Sequence, residues 1–405
     1  MHQFTRLDGP VPVVSLIDER LSTTTICLAS RYGAQQDPAG QCGLAHVLEH
    51  VVMSSPVGGV PSLSEHVERL GGHANAETGL DRMLFYAQVH PDDAEDVTGL
   101  LYQAALQPRW DEDVLEREKR AVFQELAAAA ADPSDVVQDA FLAHLFPGHP
   151  LGHPVGGTRT DVERFSTASV AAAHRERLLT ASLSVIVVGP GLPRTANPLA
   201  AGMDLQTLTA IGTTAAALPP SPPPGPPEAV RWPAEFAWVC AGARSVPDHD
   251  PRRPHFNVLA QLLGASPSSL LYRRLRGEAG LAYTFQSWNR GYADTGAWRV
   301  LAGVEPGNGD AVLDVIRAAL DEIARHGPDP DDLASARRQE QMRVLTAVDS
   351  PLDCARYLAL RSSGFASWSP TDEVAYIEAV NADDVRKAAT RIRDGFRAVA
   401  SPAAP

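Results

Sequence analysis

Short runs in which apolar and polar residues alternate, or in which β-branched residues follow one another, recur along the first half of the chain and predict β-strands. These runs cover residues 11–18, 22–30, 82–90 and 182–189. Between them, apolar residues return every three or four positions, which predicts amphipathic helices over residues 43–54, 62–70, 91–106 and 114–131. The second helix begins with a predicted capping box, Ser62 with Glu65. The first half therefore predicts a sheet packed by helices.

The second half repeats this order, with strands predicted over 235–246 and 282–291 and helices over 255–263, 310–326 and 331–348. We aligned residues 45–55 with 256–266, and residues 114–126 with 332–344. The apolar positions agree, but the ionisable ones do not: His46, Glu49, His50, Glu118 and Glu125 face Asn257, Ala260, Gln261, Ala336 and Arg343. The chain therefore reads as two copies of one α/β unit, of which only the first keeps a cluster of ionisable groups.

A proline-rich segment separates the two copies. Residues 219–227 contain seven prolines, which exclude helices and strand ladders and favour an extended spacer. We therefore expect an N-terminal domain over residues 1–215, a linker over 216–228 and a homologous C-terminal domain over 229–405. The expected fold class is α/β or α+β, with each domain a mixed, mostly antiparallel sheet packed by helices.

Composition narrows the class of protein. The 405 residues carry 35 Lys and Arg against 49 Asp and Glu, a net charge of −14, which argues against a binder of nucleic acids or anionic membranes. The four cysteines form no C-x-x-C pair, as is typical of reduced thiols in the cytosol. The first ten residues contain no signal-peptide core, and no apolar run reaches the roughly 18 residues that span a bilayer. We therefore expect a soluble cytoplasmic protein.

One helix carries candidate chemistry. In the helix over 43–54 the apolar residues lie on one side, while His46 and His50, four residues apart, lie on the other, where both imidazoles can reach one metal ion. Glu49 is angularly offset from them and can hold a water bound to that metal. This is the order H-x-x-E-H. Taken alone, the pattern fits equally well ordinary polar residues on a solvated helix face.

Further motifs extend over nearly the whole chain. They include an E-x6-E pair formed by Glu118 and Glu125, the segment GGHANAETGLDRMLFYAQV over 71–89, HPLGHPVGG over 149–157 and RRLRGEAGLAYTFQS over 273–287. With these motifs the sequence resembles the family of zinc peptidases that contains pitrilysin and the mitochondrial processing peptidase, the inverzincins. The resemblance implies that the two domains close like a clamshell around a cavity.

The resemblance also implies roles for individual residues. One zinc ion per chain is expected on His46, His50 and Glu125, with Glu49 as the general base. Glu118 is expected to support the ligands from outside the metal's own shell, although it also fits a solvated charge on its helix. The remaining expected contacts are to substrate: Asn75 and Ala76 on an edge strand that pairs with a peptide, and Arg276 and Tyr283 across the cavity.

The implied activity is zinc-dependent endoproteolysis of unfolded peptides or of leader and presequence segments. The principal alternative is a scaffold or subunit of a processing complex that binds peptides without cutting them. Because this chain is of the half-length type that pairs in the family, we expect a homodimer, with a heterodimer of homologous subunits as the other possibility. Competing metal sites, such as one built from His144, His149 and His153, are disfavoured because prolines and glycines interrupt that segment.

Overall fold

In a computed structural model of the chain, the described residues are 3–198, 218–221, 228–229, 237–361 and 369–401. They divide into two compact units. The first comprises the described residues of Met1–Ala127, His153–Ala215 and Thr346–Ser369, and the second those of Ala128–Gly152, Ala216–Leu345 and Pro370–Pro405.

The strands of the first unit form a six-stranded sheet. They are β1 (Gln3–Leu7), β2 (Val13–Ile17), β3 (Thr24–Ser30), β4 (His73–Thr78), β5 (Met83–Val89) and β6 (Leu183–Gly189), in the spatial order β1-β2-β6-β3-β5-β4. Only the pair of β2 and β6 is parallel. The helices that follow in the first half of the chain are α1 (Leu44–Met53), α2 (Leu63–Arg69), α3 (Ala94–Leu106), α4 (Glu112–Ala131), α5 (Pro133–Leu145), α6 (Arg159–Glu163) and α7 (Thr167–Ala173).

The core of the first unit lies between one face of this sheet and its helices. Because side chains alternate along a strand, Ile26, Leu28 and Phe85 point to the same face and join the apolar stripe of α1 in one buried cluster. The stripe consists of Leu44, Val47, Leu48 and Val51. Burying it fixes α1 against the sheet, so the polar side of the helix faces away from the core.

The second unit contains a five-stranded sheet with β7 (Glu228–Ala229), β8 (Ala237–Ser245), β9 (Ala282–Gly291), β10 (Gly296–Val304) and β11 (Arg397–Ser401), in the order β7-β11-β8-β10-β9. The helices of the second half are α8 (Arg253–Leu262), α9 (Gly309–His326), α10 (Pro330–Asp349), α11 (Pro351–Arg361), α12 (Pro370–Ala379) and α13 (Ala382–Asp394).

The two sheets share one topology. Strands β2 to β6 and strands β7 to β11 are arranged in the same order, each set with one parallel pair, β2 with β6 and β7 with β11. The predicted fold class of two mixed, mostly antiparallel sheets packed by helices is confirmed. The predicted strands and helices all occur, within a few residues at their ends. The sequence patterns do not predict the strands β1, β7, β10 and β11 or the helices α5, α6, α7, α11, α12 and α13. In β10 all nine residues are buried, so no alternation of polar and apolar positions marks the strand.

Each unit contains a helix from the other half of the chain. Helix α5 belongs to the first half but packs on β8 and β11, and α11 belongs to the second half but packs on β6 and β3. The sequence-based division at 216–228 separates the two repeated halves of the chain. The two compact units are defined by contacts in space instead, so each includes a helix from the other half. Most of the proline-rich segment lies outside the described residues, and the division at it stays a prediction.

The predicted capping box at the start of α2 is present only in part. The Ser62 hydroxyl accepts a hydrogen bond from the Glu65 backbone N–H at 3.2 Å, but the Glu65 carboxylate pairs with Arg69 one turn later.

Within the described ranges, no helix combines the length and the apolar character that a membrane crossing requires.

Candidate metal centre

Helix α1 presents two histidines from its polar side. His46 and His50 are one turn apart, their ring centroids are separated by 4.8 Å, and their side chains are 17% and 16% exposed. The planes of the two rings are nearly perpendicular, at 89°. The buried stripe on the opposite side of α1 therefore determines the direction in which both imidazoles point.

Glu125 on α4 completes a group of three possible ligands. Its Oε2 lies 3.3 Å from Nε2 of His46 and 3.3 Å from Nε2 of His50. The three donor atoms lie within 4.8 Å of one another, and across the described parts of the chain no other set of His, Cys, Asp or Glu side chains meets the same criterion. Two imidazole nitrogens and one carboxylate oxygen are the donors of a catalytic zinc site that keeps a fourth position open.

The protonation of His46 fits this interpretation. Burial and the neighbouring His50 lower the pKa of His46 to about 4, although Glu125 acts in the opposite direction. At neutral pH the ring is therefore uncharged and keeps a lone pair for a metal. The donor set, its convergence on one point and the neutral imidazole all fit zinc.

Glu118, also on α4, lies behind His50. Its Oε2 is 3.6 Å from His50 Nδ1, which is too long for a hydrogen bond but within range of an electrostatic contact. Its Oε1 accepts a hydrogen bond from Arg117 Nε at 3.1 Å, and the residue is buried. Glu118 is therefore placed to orient His50. His46 Nδ1, by contrast, is buried with no hydrogen-bond partner among the described atoms.

Glu49 lies between the two histidines in sequence but is not part of the three-residue group. Burial raises the pKa of its carboxyl, and the negative charges of Glu125 and Glu77 add to this effect. The nearby Thr78 and His50 partly offset it. A carboxylate whose pKa is raised toward neutrality is better suited to accept and release a proton.

Strand β4 occupies the end of the first sheet. It pairs with β5, Asn75 lies opposite Tyr86, and Ala76 lies opposite Phe85. Asn75 is exposed and its Oδ1 accepts a hydrogen bond from the Ala76 N–H at 2.9 Å, whereas the side chain of Ala76 is buried. Glu77, on the same strand, pairs with Arg356 of α11, which also donates to the Tyr86 hydroxyl at 2.7 Å. An edge strand of this kind offers unpaired backbone groups to an extended peptide.

Arg276 and Tyr283 belong to the second unit. Arg276 is exposed on a π-helical segment, Tyr272–Glu278, with its guanidinium 5.3 Å from the centroid of the Tyr272 ring. The backbone of Tyr283 is part of β9, and its side chain lies outside the described residues. The role expected for both residues opposite the histidines stays a prediction.

The histidines of the disfavoured alternative metal site lie in different environments. His149 is buried, and its Nδ1 accepts a hydrogen bond from the Leu151 N–H at 3.1 Å. His153 is exposed, and its Nδ1 lies 3.3 Å from the sulfur of the half-buried Cys42. Neither residue reaches the group formed by His46, His50 and Glu125.

The second half replaces the histidines with a closed hydrogen-bonded cluster. Asn257 and Gln261, which align with His46 and His50, donate to the Glu340 carboxylate at 2.9 and 3.1 Å. Arg343 donates to both oxygens of Glu340, at 2.6 and 2.8 Å. The carboxylate thus joins α8 to α10 without a metal. The ungapped sequence alignment missed Glu340 because it places Arg343, one turn later, opposite Glu125.

Replacing Glu340 with alanine is expected to destabilise the protein by about 2 to 4 kcal/mol, because the amides of the buried Asn257 and the half-buried Gln261 lose their acceptor. Glu340 is 1% exposed, so little water can take the place of its carboxylate. Urea unfolding monitored by circular dichroism measures the change. Alanine at the exposed Glu305 provides the matched control, and equal stability of the two variants would contradict the prediction.

Comparison with known proteins matches two consecutive parts of the chain to descriptions of one peptidase family. Residues 13–159 match the family described as insulinase, peptidase family M16, and residues 167–340 match the peptidase M16 inactive domain. An uncharacterized zinc protease from Streptomyces coelicolor is 27% identical over 95% of this chain and 86% of its own length. The mitochondrial-processing peptidase subunit beta from Blastocladiella emersonii is 23% identical over 96% and 85%. The crystal structure of a protease from Helicobacter pylori matches at a TM-score of 0.85 and 19% identity over 99% of both chains.

Proposed function

Since the chain belongs to the M16 family of peptidases, we propose that it is a zinc-dependent endopeptidase that cleaves unfolded peptides or leader and presequence segments. The single observation that carries the proposal is the approach of the Glu125 carboxylate to Nε2 of both His46 and His50. These three residues would hold one zinc ion per chain. Family membership supports a peptidase in general, and the geometry of this group supports the specific activity.

When bound, zinc supplies Lewis acidity, which lowers the pKa of a water molecule toward about 7 and polarises a carbonyl group. The protein supplies the proton transfers. Glu49 is offset from the donor atoms of the histidines, so its carboxylate is available to accept a proton from the attacking water and deliver it to the leaving amine. Burial raises the pKa of this carboxyl, which makes it a stronger base for the first of these steps.

The residues around the proposed ligands have supporting roles. The Glu118 carboxylate faces Nδ1 of His50 and favours the tautomer whose Nε2 is free to bind a metal. The backbone of β4, at Asn75 and Ala76, would pair with the substrate as an additional strand, which requires an extended peptide. By their resemblance to the family motif, Arg276 and Tyr283 would donate to the developing oxyanion.

The alternative of a scaffold that binds peptides without cutting them has a structural precedent within this chain. In the second half, Asn257, Gln261 and Glu340 close the corresponding position with hydrogen bonds. The first half keeps His46, Glu49, His50 and Glu125, so we assign hydrolysis to it. We further propose a cytoplasmic location and a homodimer; one relative is named as a subunit, which makes a heterodimer with a homologous chain the other assembly to test.

Purified wild-type protein is expected to contain about one zinc per chain and to cleave a random library of unfolded peptides. Removing the metal with a chelator should abolish cleavage, and added zinc should restore it. Without the ion, no Lewis acid at His46, His50 and Glu125 activates the water. Elemental analysis and mass spectrometry of the products measure both properties. Zinc-loaded protein that cleaves no peptide, with or without homologous partner chains, would instead establish the scaffold function.

A further inference from the structure

The first turn of α1 has no capping group of its own. The residue at its N-cap position is Gly43, which has no side chain and adopts a left-handed conformation with φ of +92°. The first backbone N–H groups of a helix have no acceptor within the helix and normally bond to a side chain at this position. For α1 the acceptor must come from elsewhere in the chain.

The acceptor is the carboxylate of Asp37, six residues before Gly43. Its Oδ2 accepts a hydrogen bond from the Gly43 N–H at 2.9 Å, and its Oδ1 accepts one from the Ala45 N–H at 3.0 Å. Oδ1 also accepts a hydrogen bond from the Tyr32 hydroxyl at 3.0 Å. Asp37 therefore binds both ends of the segment that immediately precedes His46.

The segment that carries Asp37 is itself fixed to the sheet. The ring of Tyr32 is 1% exposed, and the N–H groups of Ala34 and Gln35 donate to the carbonyls of Gly79 and Leu80 at 3.0 and 2.7 Å. Gly79 and Leu80 lie in the turn between β4 and β5. The carboxylate thus connects the start of α1 to a segment that is itself hydrogen-bonded to the turn between β4 and β5.

Two glycines, Gly156 and Gly157, also approach the start of α1 closely. A Cβ atom added to Gly157, which has φ of +75°, would lie 2.0 Å from the Cys42 carbonyl oxygen. A Cβ atom added to Gly156 would lie 3.8 Å from His46 Nδ1. The backbone of this loop therefore approaches both the residue before Gly43 and the ring of His46. The start of α1 is therefore in contact both with this loop and with Asp37.

We propose that Asp37 is a positioning residue for the metal centre: by capping the first turn of α1 it holds His46 at the distance from His50 and Glu125 that one ion requires. The inference rests on the proposed zinc site. His46 belongs to the first turn and depends on the cap, whereas His50 belongs to the next turn and is held by intrahelical bonds. Loss of the cap is therefore expected to displace one ligand and not the other.

The variant Asp37→Asn tests this role with an almost isosteric side chain. One of the two acceptor oxygens becomes an NH₂ group, which donates and cannot accept, so the side chain can no longer accept from Gly43 and Ala45 through separate oxygens. Burial raises the pKa of Asp37 to about 7, although the hydrogen bonds from Tyr32 and the helix start oppose the rise. The measurements are therefore made at pH 8, where the wild-type side chain is a carboxylate.

Two readouts distinguish positioning from general stability. Zinc affinity, measured by competition with a chromophoric chelator, is expected to fall by about 10- to 100-fold in Asp37→Asn, as for other residues that orient ligands. The visible absorption of the cobalt-substituted protein is expected to change in shape and intensity, because the coordination geometry of Co²⁺ is altered. Tyr32→Phe, which removes one hydrogen bond and keeps the carboxylate, should show smaller changes in the same directions.

Ser62→Ala is the matched control, since it removes the cap of α2 in the same unit without touching α1. It should leave zinc affinity and the cobalt spectrum unchanged. The positioning role would be overturned, and the proposed function left standing, by either of two results. One is an Asp37→Asn protein whose zinc affinity and cobalt spectrum equal those of the wild type; the other is a Ser62→Ala protein that loses as much zinc affinity as Asp37→Asn. If Asp37→Asn does not fold, Tyr32→Phe decides on the same two readouts. Wild-type protein that binds no zinc would overturn the proposed function and this inference with it.

Discussion

Glu49→Gln is expected to lower kcat for peptide cleavage by about 10²- to 10⁴-fold, the contribution of a positioned general base, while about one zinc per chain remains bound. Glutamine preserves the shape of the side chain but cannot accept a proton at neutral pH. The donor atoms of His46, His50 and Glu125 are untouched, so metal content should not change. Kinetics on a peptide identified from the library, together with elemental analysis, measure the two quantities.

The control for this variant is Glu68→Gln, which makes the same chemical change on the exposed side of α2. It should show wild-type kcat and zinc content. If Glu49→Gln retains full activity, another group is the general base. If it loses zinc together with activity, Glu49 supports the ligands rather than the proton transfer.

The second large effect is expected for Glu125→Gln, which removes the anionic donor from the proposed ligand set. Its Oε2 is the atom that approaches both imidazoles, and a neutral amide oxygen is a far weaker zinc ligand than a carboxylate. Zinc affinity should fall by more than about 100-fold, beyond the range typical of residues that contact a ligand but not the metal. The side chain is 53% exposed, so the fold should be retained and the circular dichroism spectrum unchanged.

Glu118→Gln provides the comparison on the same helix. Its carboxylate faces His50 Nδ1 but belongs to no group of converging donors, so a loss of about 10- to 100-fold in zinc affinity is expected. Chelator competition on both variants ranks the two glutamates. A greater loss in Glu118→Gln than in Glu125→Gln would exchange their roles.

The elements that carry the metal centre are predictable where one local pattern determines them. In α1 the spacing of Leu44, Val47, Leu48 and Val51 defines the buried side, and the same spacing leaves His46 and His50 together on the other. Glu125 is different, because nothing in its own helix shows that α4 passes α1. Its place in the group comes from the resemblance to a family and from the three-dimensional structure.

The residues that the sequence does not reveal act across loops or between helices. Asp37 reaches α1 through a turn of irregular backbone, and the absence of a capping side chain at Gly43 becomes informative only when the helix start is known. Glu340 lies one turn from the position that an ungapped alignment assigns to the acid. In both cases the contact depends on how two segments pack, which periodicity within one segment cannot express.

The sequence does not show which sheet α5 and α11 cover, for a related reason. Each helix has an apolar side, α5 with Val137 and Phe141 and α11 with Ala355 and Leu358, but an apolar side does not specify which sheet it covers. The sequence patterns predict neither helix, so the sheet that each covers is not predicted either. Only the structure shows that each covers a sheet formed by strands of the other half of the chain.

This reciprocal placement makes the two halves of the polypeptide dependent on one another. A protease that cut the proline-rich segment would break the covalent connection between the halves. Each fragment would still have one helix packed on the sheet of the other fragment. The fragments would stay associated as a non-covalent complex. A gene that encoded only one half would yield a sheet with one bare apolar face, a surface prone to aggregation.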